Sequence, residues 1–157
     1  MKISEIVPQG AIVPRLVSVE RDDVVAEIMD ALVAAGLVRQ DMRKEMIDAV
    51  LERERRGSTG FGKGVAVPHV KHTAIPRMSA AIALSENGID FNALDKQPVY
   101  SVILLLSPAG SPEEHLQAME VIFKNLSQDK FRRFLRQATT VEDVRTLLED
   151  ADHHRLA

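Results

Sequence analysis

The sequence predicts one layered α/β domain, and three observations carry that prediction. Segments whose apolar residues recur at helical spacing alternate with short aliphatic runs of strand character. The 157 residues fit a single domain at the usual ~100–200 residues each. With 45% apolar and 27% charged residues, the chain has the composition of an ordinary globular protein and can bury a sufficient core without staples. It shows no internal repeat, low-complexity tract or linker.

Taken in order, Ala11-Ile12-Val13 and Leu16-Val17 form a short apolar stretch broken by Pro14. Proline cannot donate to a ladder, so this is an edge strand at most. Asp22 or Asp23 caps a helix that turns Val25, Ile28, Met29, Leu32 and Val33 inward, and Gly36 suits the left-handed position that ends it. A second helix opens at Asp41 and buries Met42, Met46, Ile47, Val50 and Leu51. Its charged end, Glu52 to Arg56, reads as a solvated turn with local Glu–Arg pairs worth about 0.3 kcal/mol each.

Residues 57–64 hold Gly57, Gly60, Gly62 and Gly64, half of the chain's 8 glycines, and read as a flexible loop. Val65-Ala66-Val67 is a short strand that delivers Pro68-His69 into a loop beyond it. Ser79 to Ser85 is another strand, Asn87-Gly88 a turn, and Val99 to Leu106 the strongest strand signal in the chain. Ser111 caps a helix with Pro112 at its first position and Glu114 completing a capping box. Leu116, Met119, Ile122, Phe123 and Leu126 form its apolar stripe. Phe131, Phe134 and Leu135 mark a further short helix. Thr140 caps the last one, which buries Val141, Val144, Leu147 and Leu148. The domain is expected to span residues 3–150, with 151–157 a frayed polar tail.

Composition excludes several functions. The 20 Lys and Arg against 23 Asp and Glu give a net charge of −3, which argues against a large nucleic-acid footprint. Aromatic residues are 4% of the chain, with one Tyr and no Trp, so base-stacking platforms are scarce. The absence of Cys removes disulfides, thiolate metal sites and a cysteine nucleophile. The longest apolar run, Val102 to Leu106, is far short of the ~18 residues of a membrane span. Met1 to Ile6 lacks the apolar core of a secretory signal. The expectation is a cytoplasmic protein with no membrane insertion.

Few residues are left to carry chemistry. Gly62-Lys63-Gly64 invites comparison with a phosphate-binding P-loop, but Val65 follows in place of a hydroxyl residue, and a strand in place of a helix. A dinucleotide fingerprint fails too, because the strand follows the glycines. His69 stands at a strand end, where a sheet presents reactive groups, or else it serves only to satisfy local backbone. His72 makes a conceivable metal pair with it, but no third ligand is evident. His153-His154 lies in the tail. His115, one turn into a helix, sits near the positive end that disfavours a protonated ring; its alternative is a surface histidine beside Glu114.

Together these residues resemble a known family. The run Leu51-Glu52-Arg53-Glu54-Arg55-Arg56-Gly57-Ser58-Thr59-Gly60-Phe61-Gly62-Lys63-Gly64-Val65-Ala66-Val67-Pro68-His69, followed by Pro112-Glu113-Glu114-His115-Leu116, resembles the type 2 enzyme IIA domains of the bacterial phosphoenolpyruvate-dependent phosphotransferase system. That class includes the fructose, mannitol and nitrogen-regulatory IIA proteins, and the likeness covers roughly residues 3–150. The resemblance implies a three-layer α/β/α sandwich around a small mixed β-sheet. It also implies a phosphorelay in which His69 accepts a phosphoryl group at Nε2 from a histidine phosphocarrier protein (HPr or its nitrogen-branch homologue) and passes it to a IIB protein. By the same resemblance His115 contacts the phosphoryl oxygens, Arg53 stands beside the site, and Ser58 and Thr59 give supporting hydrogen bonds.

Such a site needs no metal, nucleotide or other cofactor, because a neutral imidazole is nucleophilic near pH 7 and phosphoryl transfer is governed by positioning and charge stabilisation. The chain departs from the family after the histidine, with Val70-Lys71-His72 where Gly and Arg are common. A second reading makes the protein a regulatory binding module, in which phosphate on His69 adds roughly −1.5 to −2 charges and switches affinity for a partner.

Overall fold

The computed structural model describes residues 1–154, and the chain lays down its elements in an alternating order. They are α1 (Ile3–Ile6), β1 (Ile12–Val13), α2 (Arg21–Ala34), α3 (Arg43–Arg56), β2 (Gly60–Gly62), β3 (Val65–Ala66), β4 (His69–His72), β5 (Ser79–Ile89), β6 (Val99–Pro108), α4 (Pro112–Leu126), α5 (Asp129–Gln137) and α6 (Val141–Asp152). Single 3₁₀ turns at Gln9–Ala11 and Gln40–Met42 lead into β1 and α3.

The sheet is mixed. Its order is β1-β5-β6-β3-β2, with β4 pairing β6 beyond β3. β5 and β6 are antiparallel, β3 and β4 both run parallel to β6, and β1 runs parallel to β5 at the edge, where the proline-broken segment was expected. Strand periodicity then sorts the core. Ala81, Ala83, Val102, Leu104 and Leu106 face α2 and α3, where they meet Val25, Ile28, Met29, Leu32, Met46 and Val50. Ala80, Ile82, Leu84, Ile103 and Leu105 face α1, α4, α5 and α6, where they meet Ile3, Ile122, Leu126, Phe131 and Leu148. A strand buried on both faces reads as an unbroken apolar run, which is why the signal at Val99 to Leu106 was so strong. The result is the three-layer α/β/α sandwich.

Several local expectations are corrected. Glu20, not an aspartate, occupies the N-cap of α2, while Asp22 and Asp23 lie in its first turn, where their carboxylates still oppose the positive helix end. Gly36 does take the left-handed conformation, with φ 76°. The glycine-rich segment is a β-hairpin rather than a free loop: β2 pairs antiparallel with β3 across a two-residue turn at Lys63 (φ 60°) and Gly64 (φ 75°). Two central residues at positive φ are what a tight hairpin with right-handed strand twist demands. Asn87-Gly88 does not end its strand; β5 runs on to Ile89 through a register shift, a bulge with Gly88 at φ 96°.

Ser111 stands at the N-cap of α4 without a side-chain capping bond, so the capping box does not form, although Pro112 does open the helix. The inward face of α4 is His115, Ala118, Ile122 and Leu126, while Leu116 and Phe123 are exposed (63% and 38%). Phe134 is likewise outside, under the Arg133 guanidinium. Thr140 caps α6 as expected, accepting from the Asp143 N–H at 3.0 Å. Helix α6 continues through Ala151 and Asp152, and the Asp152 carboxylate takes hydrogen bonds from the Ser4 hydroxyl and N–H. Residues 155–157 of the expected tail lie outside the described residues.

The hairpin is held by a close approach. A Cβ on Gly60 would stand 2.9 Å from the Ala93 Cβ and 3.2 Å from its Cα. Backbone on that side cannot yield cheaply, because the Leu94 N–H is bonded to the Gly60 carbonyl at 2.8 Å. Gly60→Ala is therefore expected to lower stability by about 1–3 kcal/mol. Urea denaturation checks it, the midpoint falling while the slope stays constant.

Candidate active site

Strand pairing delivers the first histidine. Val65 lies opposite Ser101 on β6, and His69 opposite Leu105, an unchanged offset. Residues 65–72 are thus one extended run along β6, interrupted at Val67-Pro68. His69 begins the second half as a strand residue, not a loop residue. Because Pro68 has no N–H, it meets β6 only as an acceptor, from the Leu105 N–H at 2.9 Å. Alternation puts His69 on the α4 side with Val65 and Val67, while Ala66 and Val70 pack toward α2 and α3.

The half-buried His69 ring folds back on its own strand. Its Nδ1 lies 3.0 Å from the Val67 carbonyl oxygen. A carbonyl only accepts, so Nδ1 carries the proton and the neutral ring keeps its lone pair on Nε2. His115 approaches from α4, its ring centroid 5.6 Å away and tilted by 58°. It is buried, at 6% exposure, with Nδ1 2.6 Å from the Ser107 hydroxyl at the end of β6. Burial first, then the positive charge of Lys71, and last the repulsion from His69 whenever that ring is protonated, hold its pKa below the ordinary imidazole value. The expectation of a ring biased toward neutrality stands, but the leading cause is desolvation, and the surface-histidine alternative is excluded.

The other expected residues hydrogen-bond within α3 and the glycine-rich segment rather than to the histidines. Arg53 donates from Nη1 to the Gly57 carbonyl at 2.8 Å, tying off the end of α3, and among the described residues it makes no hydrogen bond to either histidine. Among the described residues, its other guanidinium nitrogens make no hydrogen bond. The Ser58 hydroxyl accepts from the Gly60 N–H at 3.0 Å. Thr59 is turned inward: both its N–H (3.1 Å) and its hydroxyl donate to the Glu54 carboxylate. His72 accepts from the Ala74 N–H at Nδ1 (2.9 Å) and faces Glu45 with Nε2 (3.4 Å). Among the described residues no group of three or more His, Asp or Glu side chains lies within reach of one metal ion.

Two features escaped the sequence reading. Glu54 was read as part of a solvated charged turn, and Glu52 does pair with Arg56 there (3.1 Å). Glu54 itself is 2% exposed. It continues the buried series Met46, Val50 at four-residue steps, a periodic signal masked by its charge. Through Thr59, whose carbonyl accepts the Val67 N–H at 3.2 Å, Glu54 is linked to the residue that holds His69. The second feature is an apolar surface, with Phe61 of the hairpin against Phe123 of α4 at 5.1 Å and Leu116 two turns along the same helix face. On α4 the expected stripe of Leu116, Met119, Ile122, Phe123 and Leu126 holds at Ile122 and Leu126, with Met119 partly buried, while Leu116 and Phe123 turn outward and His115 and Ala118 turn in.

Fold and paired histidines together define a class. The family model for the phosphoenolpyruvate-dependent sugar phosphotransferase system, EIIA 2, matches residues 5–151, and the chain belongs to that family of phosphotransfer proteins. It is similar to the fructose-specific EIIA component of Haloferax volcanii, with 36% identity over 123 residues, 78% of this chain and 79% of the relative. The crystal structure of the nitrogen regulatory protein IIA-Ntr from Neisseria meningitidis superposes with a TM-score of 0.83 at 28% identity, covering 93% of this chain and 98% of that one. The mannitol enzyme IIA of Escherichia coli, solved in complex with phosphorylated enzyme IIB, shares the fold at 20% identity with a TM-score of 0.74, covering 89% and 94%.

The depressed His115 pKa ties stability to pH. The unfolded chain protonates this ring more readily than the folded one. The stability held above pH 6.5, the ordinary value, is therefore lost as pH falls through the lower folded value. Unfolding free energies measured at pH 8 and pH 5 are expected to differ less in His115→Gln than in the parent.

Proposed function

We propose that the chain is a phosphocarrier that takes a phosphoryl group on Nε2 of His69 and hands it on. The donor is a histidine phosphocarrier protein, and the acceptor is a IIB protein or a target in nitrogen or carbon regulation. The observation that carries this reading is the hydrogen bond from Nδ1 to the Val67 carbonyl, which leaves the Nε2 lone pair of the half-buried His69 ring unprotonated beside a neutral second imidazole.

The step balances without a proton leaving the site. The Nε2 lone pair of His69 forms the new N–P bond as the donor's N–P bond breaks, and that electron pair returns to the donor imidazole. The proton on Nδ1 remains against the Val67 carbonyl before and after. In a loose transition state the charge spreads over three equatorial oxygens, so positioning and nearby donors do most of the catalysis. The free donors of Arg53 and its planar fork suit those oxygens, and Lys71, on the His69 face of β4, adds positive charge. Ser58, Thr59 and Glu54 then act by holding the hairpin against Val67. Among the described residues no helix is long and apolar enough to cross a membrane; the relay is proposed to work in the cytoplasm. The fructose EIIA and IIA-Ntr likenesses support transport and regulatory outlets alike.

Incubation with phosphoenolpyruvate, enzyme I and the phosphocarrier protein is expected to leave an acid-labile, base-stable label that His69→Ala abolishes. Persistence of the label in that variant rejects the assignment. Arg53→Ala is expected to slow transfer more than about tenfold, some 1.4 kcal/mol at the transition state, and rapid-quench kinetics measure it. Rates equal to the parent's would confine Arg53 to its bond with Gly57.

A further inference from the structure

We propose that Ser107 is a positioning residue: it fixes the single proton of His115 on Nε2, so that this ring donates a hydrogen bond to the group carried by His69. The inference rests on the relay reading above and assigns how the second histidine is held ready for it.

Ser107 is completely buried at the end of β6, in register with Lys71 of β4, and its hydroxyl has two neighbours. His115 Nδ1 lies at 2.6 Å and the Met78 thioether sulfur at 3.1 Å. One hydroxyl proton must choose between them, and two arrangements result. In the first, the hydroxyl donates to Nδ1, and the imidazole proton sits on Nε2. In the second, Nδ1–H donates to the hydroxyl oxygen, the hydroxyl turns to sulfur, and Nε2 is bare. A thioether is a weak acceptor, whereas an imidazole nitrogen is a strong one, so the hydroxyl proton goes to nitrogen. Acceptor strength points to the first arrangement.

The consequence is functional because of burial. Held neutral, His115 has one proton to place and no second one to fall back on. With Nδ1 turned to Ser107, Nε2 is the remaining polar atom of a ring 5.6 Å from that of His69. Protonated, it meets phosphoryl oxygens as a donor; bare, it would set a lone pair against their negative charge. A buried hydroxyl thus decides whether the second histidine helps or opposes the transfer, as an outer hydrogen bond fixes the tautomer of a ligating histidine.

The test reads tautomer and rate separately. In the unphosphorylated 157-residue chain labelled with ¹⁵N-histidine, two-bond ¹H–¹⁵N spectra are expected to show His115 protonated at Nε2. Ser107→Ala is expected to give a mixture of tautomers and a transfer rate reduced on the order of tenfold. Ser107→Thr, which restores a hydroxyl, is expected to recover both, and Met78→Leu to change neither. The proposal is overturned if His115 of the parent carries its proton on Nδ1, or if Ser107→Ala leaves tautomer and rate as they were. It is also overturned if Met78→Leu shifts the tautomer as strongly as Ser107→Ala. Failure of the parent to take up phosphate on His69 at all defeats the relay reading instead, and the ¹⁵N spectra still judge the tautomer assignment.

Discussion

The pairing of residues 65–72 with β6 is the constraint on which the site depends. Because the offset between the two segments does not change across Val67-Pro68, side-chain parity is preserved through the interruption. His69 consequently shares a face with Val65 and Val67. A slip of one residue would turn His69 toward α2 and α3 and bury Val70 on the wrong side. The proline at the break removes a donor without disturbing the register, and the carbonyl of Val67 receives the histidine ring.

Around that pairing the polar contacts divide sharply by environment. The Glu54 carboxylate is buried and satisfied by the N–H and hydroxyl of Thr59; hydrogen bonds to a charged group of this kind contribute about 1.5–3 kcal/mol each. Breaking one partner would strand a charge in the interior, so the hairpin is pinned to α3 at a point where movement is costly. By contrast, pairs such as Arg15–Glu86 and Lys44–Asp48 lie in solvent and contribute about 0–1 kcal/mol. The buried contacts form a line from α3 through Thr59 and Val67 to His69, while the exposed pairs decorate helix surfaces.

Helix α4 shows a trade between packing and site. Turning His115 inward places an imidazole, rather than an aliphatic side chain, at the first buried position of the helix, and Ser107 satisfies its inner nitrogen. The same rotation puts Leu116 and Phe123 outside, where Phe123 is partly covered by Phe61 of the hairpin. Hydrophobicity alone would place Leu116 and Phe123 inside with Ile122 and Leu126, and leave His115 out. The remaining stripe of Ala118, Ile122 and Leu126 is enough to seat α4 against Ile103 and Leu105.

The alternation of elements, the two-faced burial of β6, the edge position of the proline-broken β1 and the Thr140 cap were all legible in the sequence, because each follows from periodicity or a local hydrogen bond. So was the family, through the ordered run from Arg53 to His69 and the later Glu114-His115. The hairpin of β2 and β3, the bulge at Gly88 and the inward turn of His115 on α4 were not legible, since each is settled by neighbours distant in the chain: Ala93 against Gly60, Pro98 and Tyr100 against Gly88, Ser107 beneath His115. Sequence by itself determined which groups are present and the order in which they arrive. Only the tertiary structure decided that Glu54 is buried and that two imidazoles 46 positions apart (115 less 69) stand ring to ring, because burial and facing depend on strand register and helix rotation, which no local pattern of residues encodes.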